Sequence, residues 1–254
     1  LFKTIIVFSL PYLLSSFLQT LYGMADLFIA GQFNGADVIS AVAIGSQIMH
    51  MLTVILLGLA MGTTVLISRA VGADNRAKAS RAIGNSAVLF LITAVVATAV
   101  LLALCPLIVR VMQTPAESVE QTRLYLTICF AGIPFITAYN IFTSVYRGLG
   151  DSKSPMYFVA VACVANIALD YVFIGALGMK AAGAALATVL AQAVSVAISF
   201  LFWRRSVSSV KLRRADFKPD GETFSSLLKI GVPVACQDGF IQVSFLLITV
   251  IANK

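Results

Sequence analysis

The sequence predicts an all-α protein that crosses a membrane about seven times. Of its 254 residues, 59% are hydrophobic and 11% are charged, whereas a soluble domain carries about 25% charged residues. Long apolar segments recur along the whole chain, and a membrane span needs about 20 mainly apolar residues. A water-soluble fold of this length is excluded, because the chain has too few polar residues to cover its surface.

Seven apolar segments are long enough to span a bilayer. In chain order they cover Thr4–Gln32, Ile39–Val71, Ala79–Met112, Ser118–Tyr146, Pro155–Leu177, Ala181–Trp203 and Phe224–Ala252. Several exceed the minimum length, so tilted or bent helices are expected. Prolines lie inside the first, fourth and seventh segments, where each removes a backbone hydrogen bond and favours a kink.

The basic residues between these segments predict the orientation. Four follow the second segment, two follow the fourth and six follow the sixth, whereas the other gaps hold none, two and one. We therefore expect a multi-pass protein of the plasma (inner) membrane, with the even-numbered gaps and the N-terminus in the cytoplasm. The net charge of +7 does not indicate nucleic-acid binding, because the positive charges lie in short gaps without interleaved aromatic residues.

The first and seventh segments resemble each other. The stretch Phe2-Lys-Thr-Ile-Ile-Val-Phe-Ser-Leu-Pro11 aligns with Phe224-Ser-Ser-Leu-Leu-Lys-Ile-Gly-Val-Pro233 at an offset of 222. Six spans separate the copies, which indicates a parallel repeat and a two-lobed protein. The predicted parts are a six-helix lobe over 1–204, a flexible cytoplasmic linker over 205–223, and the truncated first helix of a second lobe over 224–254.

Polar residues of three segments lie at one depth. Asp26 lies eight residues before Asn34, Asp170 eight before Gly178 and Thr188 eight after Lys180, so each lies about 12 Å below the outer surface. Asn166 shares a helix face with Asp170. Because a carboxylate in hydrocarbon costs about 2.5–3.5 kcal/mol, an interior cavity is expected.

Two interpretations of these residues stay open. The polar groups could simply join helices through hydrogen bonds, which suits Thr188 and Asn166 better than two carboxylates without a cationic partner. Such carboxylates take up a proton or bind Na⁺, as a coupling site requires. Asp238, next to Gln237 in the seventh segment, is either a substrate-cavity residue or the partner of a local helix break.

The sequence motifs give little support to a cofactor, a metal site or an enzyme activity. The cysteines form no C-x-x-C pair and His50 is the single histidine, so we expect neither a cofactor nor a metal other than Na⁺ at Asp26 and Asp170. Gly148-Leu-Gly-Asp151 matches the GxGD signature of intramembrane aspartyl proteases. Asp151, however, lies between Arg147 and Lys153 in a predicted cytoplasmic turn with exposed charges, so no enzyme activity is expected.

Several stretches together resemble the multidrug and toxic compound extrusion (MATE) family in order and spacing. They are Met24-Ala-Asp26-Leu-Phe-Ile-Ala-Gly31, Ser68-Arg-Ala-Val-Gly72-Ala-Asp-Asn, Tyr146-Arg-Gly-Leu-Gly-Asp-Ser-Lys-Ser-Pro155, and Asn166-Ile-Ala-Leu-Asp170 with Gly183-Ala-Ala-Leu-Ala-Thr188-Val. The resemblance covers the whole chain and implies half of a two-lobed, twelve-helix antiporter. Such a protein exports cationic or amphipathic small molecules in exchange for H⁺ or Na⁺ by alternating access.

The resemblance also implies roles for individual residues. Asp26 would be the cation-coupling carboxylate, with Asn166, Asp170 and Thr188 as its partners, and Tyr125 would join the cavity. Many relatives carry a glutamate further along the seventh helix, where this chain has only uncharged residues after Asp238. The choice between H⁺ and Na⁺ therefore stays open, and we expect a monomer in the lipid bilayer.

A flippase for a lipid-linked precursor would share this architecture. Flippases of this kind are expected to hold pyrophosphate with several cationic residues inside the cavity. No lysine or arginine is expected to be clearly buried in the spans of this chain, so drug export is the favoured prediction.

Overall fold

The computed structural model describes residues 2–206 and 212–252. Its α-helices are α1 (Phe2–Phe33), α2 (Ala36–Gly72), α3 (Arg76–Val111), α4 (Val119–Ala131), α5 (Ile133–Gly148), α6 (Lys153–Asp170), α7 (Lys180–Ser206) and α8 (Gly221–Ala252). A π-helical segment, Tyr171–Ala176, follows α6, and short 3-10 turns occupy Ala116–Ser118 and Arg214–Phe217. The described residues contain no strand, which confirms the predicted all-α class.

Five helical stretches are long and apolar enough to cross a membrane. They are α1, α2, α3, α6 with its π-helical segment, and α7; the pair α4 and α5, bent by 49°, forms a sixth candidate. The fourth predicted span is therefore broken, because α4 ends at Ala131 and Pro134 lies in the first turn of α5. The seventh predicted span corresponds to α8, a helix of 32 residues that is not among these six.

The outer surface of the bundle is apolar. Phe28 is 69% exposed, Leu91 64% and Val164 70%, and many other large apolar side chains are exposed along the same helices. Contiguous apolar surface of this extent suits hydrocarbon rather than water. The long apolar helices and the apolar surface thus confirm the prediction of a polytopic membrane protein.

Asp151 stabilises a helix start. Its carboxylate accepts hydrogen bonds from the N–H groups of Lys153 and Ser154, both at 3.0 Å, and so satisfies free donors in the first turn of α6. The preceding Gly150 has a φ of +89°, which favours glycine. The GxGD match is therefore a turn that begins a helix.

The helices α2 and α8 lie in close contact along glycine and alanine residues. A Cβ at Gly58 would lie 2.7 Å from backbone atoms of Ala235, and one at Gly62 would overlap the carbonyl oxygen of Leu227. In the opposite direction, a Cβ at Gly231 would overlap the carbonyl oxygen of Leu59 on α2. Small residues four apart on both helices let two backbones approach in this way.

The described part of the linker is anchored to α3, whereas its polar composition predicted a flexible connector. Asn85 is fully buried; its Nδ2 donates to the carbonyl oxygen of Asp216 at 3.1 Å, and its Oδ1 accepts from the N–H of Asp220 at 2.8 Å. Leu212 packs against Ile83 and its apolar neighbours. Residues 207–211, and with them Lys211 of the basic stretch, lie outside the described residues.

Candidate functional site

The structure brings together the four residues that the sequence predicted as a coupling site. Asp26 lies on α1, Thr188 on α7, and Asn166 and Asp170 lie one turn apart at the end of α6. The hydroxyl of Thr188 donates to Oδ2 of Asp26 at 3.2 Å. Asp170 and Asn166 face the same carboxylate. We call these four residues the polar cluster.

The local structure of α6 presents Asp170 to this cluster. Regular α-helix ends at Asp170, and the chain continues as π-helix from Tyr171 to Ala176. The N–H of Leu177 donates to the carbonyl oxygen of Val172 at 2.9 Å, which is the wider i→i+5 bond. Such π-helical turns are rare and frequently lie at functional sites.

The polar cluster is buried, and several of its polar atoms have no hydrogen-bond partner among the described residues. Asp26 is 2% exposed, Asn166 1% and Asp170 0%. Within the described residues, no protein hydrogen bond reaches Oδ1 of Asp26, either carboxylate oxygen of Asp170, or the side-chain amide of Asn166. Each buried polar group without a partner costs about 1–3 kcal/mol.

The cluster has oxygen ligands and no cationic partner. In the described part of the chain, neither Asp26 nor Asp170 forms an ion pair with lysine, arginine or histidine. Two carboxylates, a hydroxyl and an amide carbonyl are ligands that suit a hard cation. The arrangement can therefore hold Na⁺ or a proton, and either would satisfy atoms that now lack a partner.

Sequence reasoning missed Tyr22 and Gln192. Tyr22 lies beside Asp26 and next to Gln192 of α7, so the two residues extend the polar cluster by one helical turn. The signal was present in the spacing, because Tyr22 precedes Asp26 by four residues and Gln192 follows Thr188 by four. Residues four apart share a helix face.

The three predicted substrate-cavity residues have different surroundings. Tyr125 is 1% exposed and belongs to the hydrophobic core, where its ring occupies the space that a side chain at Gly45 would fill. Gln237 is exposed on α8. Asp238, one residue further on, lines a cavity of about 290 Å³ between α1, α2, α5 and α8.

Arg147 also lines this cavity, which corrects the expectation of an exposed charge in a turn. Because α5 extends to Gly148, Arg147 is still helical and reaches toward α1. Its guanidinium carbon lies 4.4 Å from the ring centre of Tyr12, and the residue is half-buried. A long cationic side chain can cover apolar surface in this way while keeping its head in a polar space.

Comparison with known proteins gives a consistent result. A family model described as MatE matches residues 11–172. The chain is 32% identical over 237 residues to the probable multidrug resistance protein YpnP of Bacillus subtilis, covering 92% of this chain and 52% of YpnP. It is 31% identical over 243 residues to the probable multidrug resistance protein NorM of Thermotoga maritima, covering 93% of this chain and 51% of NorM.

Solved structures have the same fold. A multidrug resistance MATE family transporter of the MOP superfamily in an outward-facing conformation matches with a TM-score of 0.86 and 28% identity, over 93% of this chain and 52% of that one. An inward-facing conformation matches with a TM-score of 0.82 and 28% identity, over 90% and 52%. The chain thus spans about half the length of the relatives it matches.

Proposed function

The chain belongs to the MatE family, and we propose that the whole protein is a secondary active multidrug antiporter. It exports cationic or amphipathic compounds across the plasma (inner) membrane in exchange for H⁺ or Na⁺. The observation that carries this proposal is the buried polar cluster, whose two carboxylates have no cationic partner in the described residues. A protein with only a structural role has no need of two unpaired carboxylates in its membrane interior.

The polar cluster couples cation binding to the packing of three helices. Two carboxylates in one dry cavity repel each other, so the cluster favours a bound cation or proton. Asp26 belongs to α1, Asp170 to α6 and Thr188 to α7, and binding therefore draws these helices together. Release of the cation restores the repulsion and favours a different packing of α1 against its neighbours.

Alternating access supplies the transport step of the proposal. Relatives of this chain have been solved in outward-facing and inward-facing conformations. The close contact between α2 of the first lobe and α8 of the second belongs to one arrangement of the lobes, and its separation gives access from the other side. We expect the N-terminus and the Arg204–Lys218 segment in the cytoplasm, as the distribution of basic residues favours.

One observation favours the flippase alternative. Arg147 lines the cavity between α1, α2, α5 and α8, and a guanidinium is a good ligand for phosphate. Several cations would be expected for a pyrophosphate group, however, and among the described residues that line this cavity Arg147 is the single lysine or arginine. Drug export therefore remains the proposed function.

The decisive experiment is transport by the full-length protein in liposomes, with pH and Na⁺ gradients imposed separately. We expect Asp26→Asn to abolish drug export while leaving insertion intact, because the amide removes the coupling charge. Asp74→Asn is the matched control, since the Asp74 side chain is 94% exposed. Wild-type export by Asp26→Asn, or movement of a lipid-linked pyrophosphate without movement of drug, would refute the proposal.

A further inference from the structure

A stripe of polar residues on α1 leads away from the polar cluster. Asp26 is preceded by Tyr22, Gln19, Ser15 and Tyr12 at alternating spacings of four and three residues, which place them on one helix face. The offset of 14 residues from Asp26 to Tyr12 corresponds to about 21 Å along the helix. Because Asp26 lies about 12 Å below the outer surface, the stripe reaches the opposite, predicted cytoplasmic side of a hydrocarbon core about 30 Å thick.

A second polar stripe, on α5, runs beside the first. Tyr139, Thr143 and Arg147 follow one another at intervals of four residues. Tyr139 lies next to Gln19 of α1, and the guanidinium carbon of Arg147 lies 4.4 Å from the ring centre of Tyr12. Among the described residues, no Cα atom of α1 comes within 8 Å of one of α5. Long polar side chains therefore occupy the space between these two helices.

Gln192 of α7 connects these stripes to the polar cluster. It follows Thr188 by four residues and lies next to Tyr22, which also lies near Tyr139. The connecting side chains thus form a continuous succession between the cluster and the inner end of α5. We call them the polar row, which consists of Tyr22, Gln192, Gln19, Tyr139 and Thr143.

The polar row lacks the hydrogen bonds of a purely structural contact. Tyr139 is 4% exposed, Thr143 2% and Gln192 9%. Within the described residues, no protein hydrogen bond reaches the hydroxyl of Tyr139, the hydroxyl of Thr143 or the side-chain oxygen of Gln192. Polar groups that only hold helices together bond across the contact, whereas buried oxygens without a protein partner are commonly satisfied by ordered water. The row therefore offers a cation a series of oxygen ligands.

Arg147 places a positive charge at the inner end of the row. It is half-buried, and the ring of Tyr12 holds its guanidinium in position. Tyr139 lies eight residues away on α5, or about 12 Å. One charge at this distance, with an effective dielectric constant of about 20, slows the passage of a monovalent cation about tenfold. Fixed cationic side chains exclude cations from membrane pores in the same way.

We propose that the polar row is the route by which the coupling cation leaves Asp26 and Asp170 for the cytoplasm, with Arg147 as the barrier against uncoupled flow. A proton leaves the carboxylic acid, which becomes a carboxylate, and passes along the row through bridging water to the cytoplasmic solution. Na⁺ would exchange oxygen ligands along the same row. While Arg147 lies over Tyr12, a cation that entered from outside is retained at the cluster. This inference rests on the proposed export function and adds the exit route of its cation.

The test measures cation entry into liposomes that contain the full-length protein and no drug. A pH gradient and a Na⁺ gradient are imposed separately, with a pH-sensitive dye inside for H⁺ and radioactive Na⁺ for the other arm, so the two arms identify the cation. Arg147→Gln should raise the rate of entry about tenfold, because it removes the barrier charge. Arg147→Lys keeps the charge and should leave the rate within about twofold of wild type.

Double variants show whether this flow follows the polar row. In the Arg147→Gln background, Tyr139→Phe should lower the rate about tenfold, because it removes one buried hydroxyl from the route, and Asp26→Asn should abolish the flow. Tyr146→Phe is the matched control and should leave the rate within about twofold. Tyr146 is a buried tyrosine of the same helix, and its hydroxyl already donates to the carbonyl oxygen of Ser199 at 3.4 Å.

Three results would overturn the proposal. They are an unchanged rate in Arg147→Gln, equal effects of Tyr139→Phe and Tyr146→Phe, and a flow that persists in Asp26→Asn. The last of these is the signature of a folding defect, which opens a leak that does not depend on the polar cluster.

The outcome also separates the exit route from the export function. If drug export depends on Asp26 but Arg147→Gln does not raise cation entry, the route is wrong and the export function stands. If Arg147→Gln opens a flow that depends on Asp26 and Tyr139, yet no drug is exported in either gradient, the route stands and the export function fails.

Discussion

A methyl group at Gly62 should separate α2 from α8. In the Gly62→Ala variant the new Cβ overlaps the carbonyl oxygen of Leu227, and it would also lie 3.3 Å from the backbone nitrogen of Gly231. Both obstacles are backbone atoms, so no side chain can rotate away to relieve the overlap. The two helices must move apart, or the contact must be abandoned.

The size of the effect follows from two opposing terms. Inserting a methylene into a packed contact costs about 1–3 kcal/mol. Replacing glycine by alanine within a helix gains up to about 1 kcal/mol, but α2 is helical whether or not it contacts α8, so this gain cancels between the two arrangements. The population of the separated arrangement should therefore rise roughly 5- to 150-fold.

The assay is the reactivity of a buried thiol in the contact. Leu227 is 1% exposed, and Leu227→Cys in a cysteine-free background should react with a thiol reagent mainly when the helices separate. Gly62→Ala should raise this rate by the stated factor. Gly23→Ala is the control, because a Cβ there meets no atom within 4 Å. Equal labelling rates in the two variants would refute the reasoning.

Three further predictions concern the linker. Asn85→Ala removes the two hydrogen bonds between α3 and the linker and leaves the backbone groups of Asp216 and Asp220 unpaired. Hydrogen exchange at residues 214–220 should therefore accelerate by an amount equivalent to about 2–3 kcal/mol. Unchanged exchange would show that Asn85 does not anchor the linker. The Thr223 hydroxyl and N–H lower the pKa of the Asp220 carboxyl below its ordinary value. The stabilisation that the ionised Asp220 gives to the start of α8 is therefore present above the ordinary pKa and is lost as the pH falls through the lowered pKa. After correction for the intrinsic pH dependence of exchange, the protection of the first turn of α8 should therefore fall at low pH in wild type, with no such step in Asp220→Asn. For topology, a cysteine at the exposed Ala215 should resist a membrane-impermeant thiol reagent in intact cells and react after lysis, whereas one at Ala116 should react in both; the reverse pattern would invert the orientation.

The sequence could predict what depends on composition and helical spacing. Hydropathy located the long apolar helices, and the eight-residue offsets indicated that Asp26, Asp170 and Thr188 lie at one depth. Their contact depends on the packing of α1, α6 and α7, which small alanines such as Ala184 and Ala185 allow. Spacing of four residues would have added Tyr22 and Gln192 by the same rule.

Features that depend on long-range contacts could not be predicted in this way. A hydropathy window averages over the break between α4 and α5, although Gly132 marks it, because a Cβ there would overlap the side chain of Val189 on α7. The position of Arg147 depends on Tyr12, which is distant in sequence. The anchor of the linker depends on Asn85, whose two partners lie more than 130 residues further along the chain.

Because Asn85 fixes the linker to α3, the start of α8 is a fixed point about which the rest of the helix can rotate. Asp220 is hydrogen-bonded to α3, and α8 extends from there for 32 residues, or about 48 Å. A rotation of about 10° around this fixed point would move the far end of α8 by about 8 Å and Asp238 by about 5 Å, while the first turn stays in place. The width of the cavity at Asp238 would therefore change by up to about 5 Å, without any stretch of the linker.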